Sequence, residues 1–136
     1  MRHLAIALFA LLGSIASFAQ DSPAYHACTD KAVAQADLNS CAGDEATRVE
    51  AELNRVYATL LSKAAGDQVA VAKIKAAERA WIGYRDAYLE AMYPAKDKQA
   101  EYGSIYAMEI SLLRAKLTQR QIVALQELLE QYSSDS

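Results

Sequence analysis

Proline and glycine are scarce in this 136-residue chain, with 2 and 5 copies, and no segment alternates polar with apolar residues as a half-buried strand does. Few breakers and no strand pattern leave long helices and exclude a β-rich fold. Histidine is nearly missing too: His3 lies in the N-terminal segment, and His26 alone follows it. A Ser-His-acid or Cys-His site would have to use His26, which stands two positions from Cys28 with no recognisable nucleophile motif nearby. His26 and Asp30 share a helical face at i and i+4, but two ligands do not make a metal site and no His/Cys cluster completes one. A phosphate-cradling glycine loop, a calcium loop and a haem-attachment motif are absent. The reading is therefore a non-enzyme with no catalytic residue, no metal and no cofactor.

Only one long apolar run occurs, residues 4–12, behind Arg2 and His3 and ahead of Gly13 and Ser14. Small residues at Ser17 and Ala19 complete the layout of a secretory signal cut after Ala19. The run is about half of the ~20 apolar residues that a membrane span needs. The expectation is an exported product, periplasmic or secreted, with residues 20–136 as one helical domain and no membrane association after cleavage. That product carries thirteen basic and seventeen acidic residues, a formal charge of −4 with histidine neutral. The balance argues against nucleic acid or an anionic membrane, which demand a basic face, and suits a basic protein partner.

Both cysteines, Cys28 and Cys41, follow the signal, and an even count in an exported chain reads first as a disulfide rather than two free thiols. On one continuous helix, thirteen steps would hold them about 20 Å apart, whereas a disulfide needs Cα atoms within roughly 7 Å. The chain must therefore turn back between them. The turn is placed near Ala36-Asp37-Leu38-Asn39, with Asp37 or Asn39 capping the next helix.

A short first helix starts at Pro23 and carries Cys28. A second, residues 38–65, turns Val49, Leu53, Val56, Tyr57, Leu60, Leu61 and Ala64 to one side, and Gly66-Asp67 ends it. A third, residues 68–92, has an apolar stripe of Ile74, Ala77, Trp81, Tyr84, Tyr88 and Met92, and Pro94 stops it. Residues 95–102 read as the longest exposed loop, although their alanines and charges also permit a helical turn. A fourth helix, capped by Ser104, uses Ile105, Met108, Leu112 and Ala115. Thr118 and Gln121 then have the form of a capping box opening a fifth helix with Ile122, Leu125, Leu129 and Tyr132. The fold class is all-α, a compact antiparallel bundle of four to five helices with one disulfide.

Carboxylates are plentiful, Glu45, Glu50, Glu78 and Glu90 among them, and read as solvated helix faces rather than a paired acid and base. Around Trp81, two readings compete. Trp81 and Tyr84 anchor the core while Arg85 and Asp86 link helices, or the group is an aromatic and arginine hot spot for a partner. Tyr57, Tyr84 and Tyr88 suit the core. Tyr93, Tyr102 and Tyr106 surround the long loop and suggest a recognition surface.

Taken in order, Cys28 and Cys41, Glu52-Leu53-Asn54 with Tyr57, Ala77-Glu78-Arg79-Ala80-Trp81, Tyr84-Arg85-Asp86, Gly103-Ser104 and Leu117-Thr118 resemble the LprI-like lysozyme inhibitor family, small secreted or periplasmic helical domains of bacteria. The resemblance spans about residues 25–130. It departs in three places: a second cysteine pair common in the family is replaced by Tyr88 or Leu89 and by Leu112 or Leu113, a usual glutamine is Glu78, and a frequent arginine is Gln121. The resemblance implies a protein inhibitor of a lysozyme-type muramidase, an enzyme class that is usually basic and works through two carboxylates in a cleft. The candidate binding surface is then the stretch 94–104 with Tyr93, Lys96, Lys98, Tyr102, Gly103 and Ser104, a lysine reaching the catalytic carboxylates. Leu53, Asn54, Tyr57, Arg79, Trp81, Tyr84, Arg85, Asp86 and Thr118 are read as structural. The alternative is a non-inhibitory periplasmic protein-binding or envelope-stress module on the same bundle.

Overall fold

The computed structural model describes residues 21–134; the signal segment and its cleavage point lie outside them. Helix α1, Pro23–Thr29, has proline at its first turn and Ser22 as cap, its Oγ accepting from the Tyr25 N–H at 3.1 Å. The turn comes earlier than expected, at residues 30–34, and α2 runs Gln35–Lys63. Asp37 does serve the helix start, but from its third position: Oδ2 accepts from the N–H groups of Val33 and Ala34, both at 3.0 Å. Cys28 and Cys41 are bonded, with Cα atoms 5.7 Å apart, as the reversal of the chain requires.

Asp67 caps α3, Gln68–Met92, by accepting from Val69 and Ala70. A five-residue helix α4, Lys98–Tyr102, and a 3-10 turn, Gly103–Ile105, lead into α5, Tyr106–Ser134. Helix α5 corrects the expected break at residue 118. Thr118 is buried inside the helix, and its hydroxyl donates to the Arg114 carbonyl at 2.9 Å instead of capping a new start. Ala115, Thr118, Ile122 and Leu125 continue the buried row straight through that point.

Val49, Leu53, Val56, Leu60 and Ala64 form the core with Ala70 and Ile74 of α3 and Ala115, Ile122 and Leu125 of α5. Consecutive long helices are antiparallel, which makes α2 and α5 run parallel. Three bonds fix these directions: Asn39 Nδ2 to the Ser104 carbonyl, Gln121 Nε2 to Glu78 Oε2, and Tyr93 Oη to Glu109 Oε2. Packing is closest between α2 and α5, and α3 lies nearer to α5 than to α2.

The inner face of α3 is rotated from the expected stripe. Ala70, Ile74, Glu78 and Leu89 are buried and Trp81 packs partly buried against the core, whereas Ala77 is exposed, Tyr84 is 57% exposed and Met92 51%. Tyr84 is therefore no core residue; its aromatic contact is with Tyr88, ring centroids 5.9 Å apart. Two carboxylates expected in solvent are inside: Glu45 is 4% exposed and Glu78 8%. Among the described residues, no helix is long and apolar enough to cross a membrane, and no three His, Cys, Asp or Glu gather as metal ligands.

Candidate partner-binding site

Residues 93–106 form a tied knot at one end of the bundle. Asp97 caps α4 through the Ala100 N–H at 2.9 Å. The rings of Tyr93, Tyr102 and Tyr106 pack on one another with centroids 5.1 to 5.8 Å apart. Tyr102 Oη accepts from the Ala95 N–H at 3.1 Å, and Tyr93 Oη donates to Glu109 Oε2 at 3.3 Å. Burial, then the nearby Glu109 carboxylate, raises the Tyr93 phenol above its ordinary pKa. Gly103 has φ of +72°, a conformation that side chains with a Cβ rarely adopt, and this lets the chain turn from α4 into α5. Ser104 is exposed and gives its carbonyl to Asn39.

The two lysines of this stretch have different situations. Lys98 folds inward, its Nζ donating to Glu90 Oε2 at 2.9 Å and to the carbonyls of Tyr93 at 2.7 Å and Ala95 at 3.2 Å. Its bond to Glu90 raises its pKa. Lys96 remains exposed. The stretch thus brings Tyr93, Lys98 and Tyr102 together as a folded element, and Lys96 is the cation it presents to solvent.

A second concavity lies between α2 and α3, where α3 leans towards α5. This groove of about 270 Å³ is lined by Glu50, Leu53, Asn54 and Tyr57 of α2 and by Lys75, Glu78, Arg79, Trp81, Ile82 and Arg85 of α3. Seven of the residues in the motifs that carry the sequence resemblance, separated by up to 32 positions, therefore meet at one place. Trp81 and Tyr57 pack on the core from its floor, and burial, then the Glu78 carboxylate, raises the Tyr57 phenol. The Arg85 guanidinium lies 5.2 Å from the Trp81 ring centre and bonds its neighbour Asp86 at 2.8 Å. Arg85 and Asp86 thus pair within α3 and do not bridge to another helix. Glu78 accepts from Gln121 Nε2 at 2.9 Å, so two of the positions where the chain departs from the family pattern bond each other and join α3 to α5.

A third cluster was missed in the sequence. Glu45 is buried beneath the start of α1 and takes a bidentate pair from Arg48, Nη2 to Oε1 at 2.7 Å and Nε to Oε2 at 3.0 Å. Ser22 Oγ also donates to Oε2 at 2.5 Å. The Arg48 bonds pull the Glu45 carboxyl below its ordinary pKa; burial opposes them and the Ser22 bond adds to them. The signal for this site was present, because Glu45 falls on the row Cys41, Val49, Leu53, Val56 and Leu60. A charge on an apolar row marks a group that must find a polar partner once the row is buried.

The family model for the lysozyme inhibitor LprI matches residues 28–125. An uncharacterized protein of Rhizobium meliloti (strain 1021) is 37% identical over 111 residues, covering 74% of this chain and 77% of the relative. No solved structure matches the chain. The matched span begins at Cys28, takes in the disulfide, the α2–α3 groove and the tyrosine knot, and ends at the last buried leucine of α5. With the family model matched over that whole core, the chain belongs to the LprI lysozyme inhibitor family.

Proposed function

We propose that this protein is exported and inhibits a lysozyme-type muramidase by binding it, without catalysing a reaction of its own. The observation that carries this reading is the family match across residues 28–125, which spans the disulfide, α2, α3 and about two thirds of α5. The residue inventory agrees. His26 is exposed on α1, close to the disulfide, and the two buried carboxylates are engaged with Arg48 and with Gln121. An acidic chain also suits the basic surface usual in such enzymes. A disulfide in a small domain, behind a segment with the layout of a secretory signal, supports an encounter outside the cytoplasm. The test is the rate at which muramidases of several structural types clear a suspension of bacterial cell walls, with and without the purified mature chain. Saturable loss of lytic activity for at least one type is expected. Full activity of every type at micromolar excess of the chain would exclude the inhibitor reading.

A further inference from the structure

The first two thirds of α3 are rich in cations. Between residues 68 and 85 it has four cations, Lys73, Lys75, Arg79 and Arg85, and a single acid, Glu78. That acid is buried and bonded to Gln121, and Arg85 is satisfied by Asp86. Lys75 and Arg79 stand one helical turn apart, exposed, on the α3 side of the groove, and among the described residues neither makes a hydrogen bond or an ion pair. Like charges at i and i+4 destabilise a helix by a few tenths of a kcal/mol. Both cations are therefore open to a partner at the groove. Ile82, partly exposed, lies beside them one turn further on, and the α2 side presents Glu50 and Asn54, also exposed.

We infer that the α2–α3 groove is the surface that engages the muramidase, Lys75 and Arg79 pairing with a carboxylate of the enzyme's cleft. The inference rests on the inhibitor reading above and adds the place of contact. Its partner is set by charge complementarity. Glycoside hydrolysis places two carboxylates in the cleft, and paired cations on a helix edge match that chemistry. Glu50, on the other side, faces a basic residue of the rim, and Ile82 supplies the apolar contact between them. The stretch 94–104 is less well equipped: Lys98 is already held by Glu90 and two carbonyls, which leaves Lys96 as a single exposed lysine rather than a pair. The hollow beside the disulfide is larger, but Asp37 there is spent on Val33 and Ala34, and alanines make up much of its wall.

The test compares three chains in the same lytic assay, using a muramidase that the wild type inhibits: wild type, Lys75→Gln/Arg79→Gln, and Lys116→Gln, an exposed lysine on α5. The expected result is inhibition weakened by about tenfold or more in the double variant and unchanged in Lys116→Gln. The melting temperature of the double variant should be no lower than that of wild type, since both side chains are exposed and their mutual repulsion is removed. Inhibition by a folded double variant at wild-type strength overturns this inference and leaves the inhibitor reading standing. If wild type inhibits no muramidase, both fall together. A salt titration of the wild type adds a readout independent of mutant folding: inhibition should weaken between about 50 and 200 mM salt, and salt-independent inhibition contradicts pairing at an exposed lip.

Discussion

At the scale of single residues, Glu45 shows how a charge comes to sit on an apolar face. Its carboxylate is neutralised by the two-pronged Arg48 bond and tied to the cap of α1 through Ser22. Because its folded pKa lies below the ordinary value of 4.5, its stabilising contribution is present above about pH 4.5 and is lost as pH falls through the folded value. Glu45→Gln should lower stability by about 1 kcal/mol at neutral pH, since the half-exposed Arg48 loses the charged acceptor that the buried carboxylate supplies. Urea unfolding across pH would check this. The wild-type and variant curves should converge on acidification, and a constant gap down to pH 3 would contradict it. Glu78 teaches the same lesson: the sequence shows a helix acid, and only the tertiary arrangement shows that α5 brings Gln121 to meet it.

Among the elements, α1 depends most on covalent chemistry. None of its seven residues is buried, so the Cys28–Cys41 bond and the Ser22–Glu45 link hold it on α2. Replacing both cysteines by serine should cost about 3 kcal/mol in the loop-closure account. Hydrogen exchange should show lost protection in α1 while the centres of α2 and α5 stay protected; a uniform change along the chain would contradict this. Helix α5 offers a sharper test. Gln119→Pro inside one uninterrupted helix should cost about 3 kcal/mol or more, measured by denaturant unfolding. Were Thr118 a cap, proline at the next position would be tolerated. The long helices, their order and the disulfide were legible because apolar spacing and cysteine count encode them directly. The break at Thr118 was misread because its local signal, Thr-x-x-Gln, also fits a helix interior where burial at steps of three and four decides the outcome. The α3 face was misplaced for a related reason: Tyr84 and Met92 fit either side of a helix, and in the folded chain Leu89 is buried instead.

At the scale of the whole molecule, three long helices in up-down-up order put α2 and α5 side by side and leave α3 leaning on one of them. The groove follows from that asymmetry, and it gathers Leu53, Asn54, Tyr57, Arg79, Trp81 and Arg85 from two helices. Their spacing along the chain gave the family resemblance but not their meeting place, which depends on the rotation of α3. The proposed inhibition requires a defined complex between this bundle and a muramidase. Titrating a fixed concentration of a susceptible muramidase with the mature chain, while following cell-wall lysis, detects that complex through its stoichiometry. Activity should fall to a plateau near zero with an end point at one chain per enzyme. Lysis that stays unchanged across every muramidase type tested, up to micromolar excess, would contradict it.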